Sequence, residues 1–187
     1  MGNEAKQVFY TGIGAREAPK EILSMIEKIG GHMARKGYIL RSGAAEGSST
    51  SFEKGCDEAG GKKLIFLPWR GFNGNNSPLY TIPDRAFDIV KGLNPAWSAQ
   101  SDSTKKLQAR YAMTMLGQQV KEPSACVLCY TPGGKQKGGT GFALKIAQKY
   151  RIPVFDIGAF EQVLDSVKDR LIDFLEGLSL SGDGLVL

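Results

Sequence analysis

Apolar and polar positions along the chain follow two alternating periods. Short continuous apolar runs, of the kind a strand buried on both faces shows, occur at Val8-Phe9-Tyr10, Tyr38-Ile39-Leu40, Leu64 to Leu67, Ala125 to Tyr130 and Ile152 to Ile157. Between them apolar residues return every three or four positions. Ile22, Ile26, Ile29 and Met33 form a helical stripe behind Pro19, a good first-turn residue. A short helix is predicted around Ser49 to Glu58 and a longer one from about Thr104 to Leu116. Phe142, Ala143, Ile146, Ala147 and Tyr150 line one side of another. Phe160, Val163, Leu164, Val167, Leu171, Phe174, Leu175 and Leu178 predict a long last helix, punctuated by Gly177 and Gly182. Such strand–helix alternation implies right-handed crossovers and a parallel sheet with helices on both faces. The expected fold is α/β, one Rossmann-like domain over residues 1–187. One stretch breaks the rhythm. About 68–103 is rich in Pro, Asn, Gly and Ser with a short amphipathic piece at Phe87–Val90, and an insertion so long is commonly functional.

Composition narrows the function class. At 187 residues and 42% hydrophobic, the chain suits a single domain with a real core. No apolar run approaches the roughly 18 residues of a membrane span. The opening MGNEAKQ lacks the apolar centre of a signal peptide, and three cysteines make no disulfide framework, so a cytoplasmic protein without a membrane partner is expected. Lys and Arg number 24 against 19 Asp and Glu, a net charge of +5. From Glu161 onward acidic residues dominate, so the body before it is strongly positive and attracts phosphates.

The 24 glycines concentrate where a parallel sheet binds ligands, at the carboxyl ends of its strands. Three strands end in small-residue turns. The first carries Gly12, Ile13, Gly14, Ala15 and Arg16; the second Ser42, Gly43, Ala44, Ala45, Ser48 and Ser49; the third Thr131, Gly133, Gly138, Gly139, Thr140 and Gly141. Small residues let backbone N–H groups approach an anion, and a following helix N-terminus adds partial positive charge. These residues are candidate ligand contacts for phosphate and ribose. The specific signatures are absent: the third glycine of G-x-G-x-x-G is missing after Gly14, and there is no G-x-x-x-x-G-K-[ST].

Tyr10 to Arg16, Leu40 to Gly47 with Phe52-Glu53, and Gly138 to Gly141 before Ile152-Pro153-Val154-Phe155 together resemble the SLOG superfamily. That group includes the DprA/Smf DNA-processing proteins and the LOG nucleotide phosphoribohydrolases. The likeness is nearest to small single-domain DprA-like proteins common in bacteriophages, and it extends through Pro68-Trp69, Asn94 to Trp97 and the helix carrying Arg110. It implies a Rossmann-like fold, often a homo-oligomer, that binds nucleotides or nucleotide-derived ligands, and in some members single-stranded DNA. By analogy with fused SLOG domains that sense cyclic ADP-ribose-type signals, one version is a phage counter-defence protein sequestering such a signal in the host cytoplasm. LOG enzymes place a catalytic Glu three residues after the threonine of their glycine motif; here that position is Ala143. Ser49, Asn94 and Tyr111 likewise stand where small DprA-like proteins tend to carry Asp, His and Asn.

Cys126 and Cys129 lie three apart in a strand and so face opposite sides, which suits buried packing rather than metal binding. His32, the one histidine, sits beside the apolar stripe of the first helix and reads as structural. Glu53, with Glu17 and Glu46 nearby, is a candidate ribose contact or base; Arg16 and Arg41 are candidate phosphate forks. Trp69, Phe72, Tyr80 and Trp97 bracket the insertion, where aromatics can stack on a base, anchor the loop or form an interface; Tyr111 can reach the same pocket, and Arg110 beside it is a further candidate ligand contact. No catalytic residue, cofactor or metal is assigned. The leading expectation is binding of a nucleotide-type small molecule without turnover. The alternatives are single-stranded DNA binding, with stacking aromatics interleaved with Arg70, Arg85 and Lys91, and a nucleotide hydrolase using Glu53 or Glu46.

Overall fold

All five apolar runs become strands of one parallel sheet in a computed structural model that describes residues 7–180. The strands are β1 (Phe9–Gly14), β2 (Ile39–Ser42), β3 (Lys63–Ile65), β4 (Cys126–Tyr130) and β5 (Val154–Asp156). Their spatial order is β3-β2-β1-β4-β5, every neighbouring pair parallel. Six α-helices connect and cover them among the described residues: α1 (Lys20–Arg35), α2 (Ser48–Glu58), α3 (Asp84–Lys91), α4 (Asp102–Leu116), α5 (Gly138–Lys149) and α6 (Val167–Leu180). The fold is the α/β, Rossmann-like one that the alternation predicts. No described helix is long and apolar enough to cross a membrane.

Alternation along β4 divides the core. Cys126, Leu128 and Tyr130 face one layer with Ile22, Ile26 and Met33 of α1, Phe52 of α2 and Leu171 and Leu175 of α6. Val127 and Cys129 face the other, with Ala86 and Ile89 of α3, Ala109, Ala112 and Met113 of α4 and Ala143 and Ile146 of α5. The two strand cysteines therefore pack on opposite sides of the sheet, both buried and free. Burial pushes the Cys126 thiol up to about 12, which keeps it a small hydrophobe rather than a nucleophile.

Two expectations require correction. The last helix does not begin at Phe160: residues Ile157–Ser166 run as irregular 3₁₀ turns with Phe160 and Val163 outside helical geometry, and α6 starts at Val167. Tertiary contacts override the apolar spacing there. Glu161 accepts the Gly133 N–H at 2.7 Å and the Tyr130 hydroxyl, and the Phe160 ring stacks on Phe155 at 5.4 Å. The insertion is also more ordered than its composition implies. Its amphipathic piece extends to the full α3, which packs on α4, and short 3₁₀ turns sit at Phe72–Gly74 and Trp97–Ala99.

Candidate ligand-binding cleft

From β1 the chain builds outward through β2 and β3 to one side, then crosses back to β4 and β5 on the other. The β1/β4 boundary is therefore the switch point of the sheet, where open parallel sheets leave a crevice beyond the strand ends. A cleft of about 560 Å³ opens there. Its walls are Gly14 to Arg16 after β1, Ala45 and Glu46 after β2, Thr131 and Pro132 after β4, and Lys137 to Thr140 entering α5. Phe142 of α5, Thr104, Leu107, Gln108, Arg110 and Tyr111 of α4, and Phe72 from the insertion complete it. That size fits a mononucleotide-scale ligand.

The second turn is held from below. Glu53 of α2 is buried, and its carboxylate accepts the Ser42 hydroxyl at 2.7 Å and the Ala44 N–H at 3.0 Å. Burial raises the Glu53 pKa, with the two hydrogen bonds acting against that rise. Gly47 caps α2 with φ +83°, and a Cβ there would lie 2.0 Å from the Arg16 carbonyl oxygen, so only glycine lets the first and second turns meet. Ser48 completes the junction: its hydroxyl and its N–H both donate to the Ala15 carbonyl.

The third turn is partly satisfied from inside the protein. Thr131 donates its N–H and its hydroxyl to Asp156. The Gly133 N–H donates to Glu161 at 2.7 Å, and the other oxygen of that carboxylate accepts the Tyr130 hydroxyl. Beyond it, the first turn of α5 enters the cleft at Gly138, Gly139 and Thr140 with no side-chain cap. Its orphan N–H groups and the helix dipole give that end of the cleft positive character.

Arg110 forms the inner wall. It is only 3% exposed, and its Nη1 donates to the Gly43 carbonyl. A Cβ on Gly43 would lie 2.0 Å from that nitrogen, so the glycine is what admits the arginine. The guanidinium carbon sits 4.5 Å from the Tyr111 ring centre and 5.7 Å from that of Phe72. Burial pulls its pKa down, opposed by Tyr111 and Glu53. Arg110 forms no ion pair among the described residues, and its Nε is buried without a partner.

The cleft thus brings together Gly14, Ala15, Arg16, Ala45, Arg110, Tyr111, Thr131, Gly138, Gly139 and Thr140 from the sequence candidates. Gly12, Ile13, Ser42, Gly43, Ala44, Ser48, Ser49, Glu53, Trp69, Gly133 and Gly141 do not line it. Glu53 and Ser48 instead hold the turns together, while Ile13 lies in the core against α4 and α5. Arg41 is no phosphate fork: it is 1% exposed and bonded to the carbonyl and carboxylate of Glu122, both at 2.6 Å. Of the candidate aromatics in and after the insertion, Phe72 and Tyr111 reach the cleft; Trp69 meets Phe72 edge-on at 5.2 Å and is 37% exposed. Thr104, Leu107 and Gln108 were not among the candidates, although helical spacing places Leu107 and Gln108 one turn, and Thr104 two turns, before Arg110 and Tyr111 on the same face. His32 lies in a separate groove between α1 and α6, beside Ile29, Val167 and Leu171.

No family model matches the chain, and no curated protein matches it. Solved structures do share its fold. The Moco carrier protein of Chlamydomonas rheinhardtii aligns over 91% of this chain and 99% of its own, at 18% identity and a TM-score of 0.52. DNA processing protein A of Helicobacter pylori, described for its single-stranded DNA binding mode, aligns over 91% of this chain and 81% of its own, at 16% identity and a TM-score of 0.56. DNA processing protein A (DprA) of Streptococcus pneumoniae aligns over 89% of this chain and 56% of its own, at 15% identity and a TM-score of 0.50. The chain therefore has the DprA-like fold that its motifs resemble.

Proposed function

We propose that this chain binds a phosphorylated, nucleotide-derived small molecule in the switch-point cleft and holds it without chemical change. The observation that carries the reading is the composition of that cleft. A buried arginine and an uncapped helix N-terminus supply the anion end, and Leu107, Phe142 and Phe72 supply an apolar wall for a planar group. Of the two acid/base candidates, Glu53 is sealed beneath the second turn by its own hydrogen bonds and Glu46 lines the cleft, while Ala143 stands where a LOG-type acid would be. A fold shared with a Moco carrier protein supports a holding role. Sequestration of a cyclic nucleotide or ADP-ribose-type signal by a cytoplasmic homo-oligomer is the specific form that the family resemblance favours. Isothermal titration against a panel of mononucleotides, cyclic nucleotides and ADP-ribose tests it. Micromolar binding, with the ligand recovered intact after denaturation, is expected; no heat with any member of the panel overturns it.

One observation favours a second reading. Trp69 and Tyr80 are exposed at 37% and 38% on an insertion that also carries Arg70 and Arg85, a stacking surface of the kind single-stranded nucleic acids use. A DNA processing protein with this fold binds single-stranded DNA. A gel shift with an oligonucleotide, falling steeply with salt, would establish it; no complex at low salt removes it.

A further inference from the structure

Glycine-rich turns are one place in this cleft for a ligand's anionic group, and they are not all open. The Gly133 N–H already donates to Glu161, a carboxylate supplied by the chain itself at 2.7 Å. The Ala44 N–H donates to Glu53, and the Thr131 N–H to Asp156. Each of these backbone donors is already taken by a carboxyl group of the chain, so a ligand phosphate gains little by approaching it. Arg110 is the opposite case. It is a cation placed in the protein interior with no carboxylate paired to it among the described residues, an Nε without a partner, and neutral hydrogen-bond partners in the Gly43 carbonyl and the Tyr111 side chain. Glu53 lies close enough to attract it, yet the ionised form of Glu53 is itself disfavoured by burial and its Oε1 is committed to Ser42 and Ala44.

Burying a guanidinium in this way is costly, because the ring faces of Tyr111 and Phe72 replace only part of its hydration. A buried charge lacking its partner destabilises a fold, and an apolar side chain of similar volume in its place commonly does not. The cost becomes intelligible if the missing partner is the ligand.

We infer that Arg110 is the anion receptor of the cleft: a compact oxyanion group, a phosphate or phosphate monoester, completes the Arg110 ion pair beside the first turn of α5, and the free chain is destabilised for want of it. The inference rests on the ligand-binding reading and deepens it by naming where the charged group goes. Tyr111 connects the two halves of the receptor. It contacts Arg110 on one side, and its hydroxyl lies 2.7 Å from where a Cβ on Gly139 would be. Glycine at 139 therefore keeps Tyr111 close to the helix terminus, and the phosphate has the guanidinium and the α5 N–H groups as donors.

The test is thermal unfolding of the wild type and two neutral variants, with inorganic phosphate, AMP and a single-stranded oligonucleotide as separate additions. Arg110→Met removes the charge and keeps the bulk; Arg110→Gln removes the charge and keeps a donor for the Gly43 carbonyl. In anion-free buffer at least one of them is expected to melt above the wild type. Phosphate or AMP at a hundredfold excess over its dissociation constant raises the wild-type midpoint by roughly 5–10 °C and leaves both variants unmoved. If phosphate acts through Arg110 but AMP adds nothing to it, the receptor stands and the nucleotide reading fails. If both variants melt below the wild type and still respond to phosphate as it does, or if phosphate leaves the wild type unmoved, the inference is overturned. An oligonucleotide that acts through Arg110 while phosphate and AMP do not also overturns it, since the group bound would then not be a compact phosphate.

Discussion

Two arginines are buried at α4, one in its middle and one against its C-terminal end, and they are treated in opposite ways. Arg41, on β2, is 1% exposed, yet its guanidinium meets the Glu122 carboxylate and carbonyl, lies 4.0 Å from the Phe9 ring centre, and closes over Gly117 at the end of α4. Arg110, on α4 itself, is 3% exposed and has no acid paired to it among the described residues. Identical side chains at similar depth thus differ in whether the fold supplies the counterion. Where it does, the arginine fastens a loop; where it does not, the charge is left for something that arrives. The comparison separates a structural cation from a receptive one on physical grounds, with no appeal to motif.

The largest expected effect comes from removing the structural member. Arg41→Ala empties a fully buried site and releases the 117–124 segment from β2. Urea unfolding is expected to show a loss of about 3–5 kcal/mol, with ligand affinity at the cleft unchanged once the protein is folded. A loss below about 1 kcal/mol would show that Arg41 fastens nothing, and the contrast would fail on its structural side.

Gly43→Ala attacks the other member without touching it. The new methyl would sit 2.0 Å from the Arg110 Nη1 and must drive the guanidinium out of place. A destabilisation of about 1–3 kcal/mol is expected from overpacking. Affinity for phosphorylated ligands should fall by at least about tenfold, because a displaced guanidinium loses its charge-assisted hydrogen-bond geometry. Calorimetric titration of Gly43→Ala beside Arg41→Ala reads the two outcomes directly. Equal affinities in the two variants would erase the distinction.

The sequence carried the frame of this arrangement better than its detail. Strands buried on both faces announce themselves as unbroken apolar runs, and the glycine turns follow from where those runs stop, so the sheet and the location of the cleft were both legible. The roles of single charges were not. Arg41 sits 81 positions before Glu122, and nothing local distinguishes a strand arginine that will be paired from one that will face solvent. Glu53 looked like a ligand contact because its helix follows a glycine turn; in the structure that same proximity lets it cap Ser42 and Ala44 from below. The apolar spacing from Phe160 onward promised a helix, but in the structure Glu161 is drawn to the Gly133 N–H and the Tyr130 hydroxyl, and Phe160 and Val163 leave helical geometry. Long-range polar pairing is what sequence periodicity does not encode.

Glu53→Gln asks whether Arg110 is truly unpaired. Burial holds the Glu53 carboxyl above its ordinary value, so the folded chain binds that proton more readily than the unfolded one. The stability this contributes is fully present below the unfolded pKa of about 4.3 and is lost as pH rises through the folded value. Glutamine keeps an oxygen to accept from Ser42 and Ala44 but carries no charge. At pH 7 the variant is expected to lie within about 1 kcal/mol of the wild type, and the decline in urea midpoint between acid and neutral pH should shrink. A loss above about 3 kcal/mol at pH 7 would mean that Glu53 is the counterion of Arg110, and the two arginines would no longer differ in kind.

The smallest effect is expected at Glu122, and its smallness is informative. This carboxylate is 65% exposed, so water screens the pair it makes with the buried Arg41. Two of the contacts to Arg41 survive Glu122→Gln: the backbone carbonyl at 2.6 Å and the Ser124 hydroxyl at 3.4 Å. A cost of about 0.2–1 kcal/mol is expected, shrinking further as salt is raised, which urea midpoints at two ionic strengths will show. A half-solvated partner has a consequence for Arg110 as well. If a carboxylate that sits mostly in water suffices to settle Arg41, then a ligand phosphate reaching Arg110 from an open cleft need not be fully enclosed to settle it. A salt-independent loss of several kcal/mol at Glu122 would contradict this, because it would show that a buried arginine in this fold demands a fully desolvated partner.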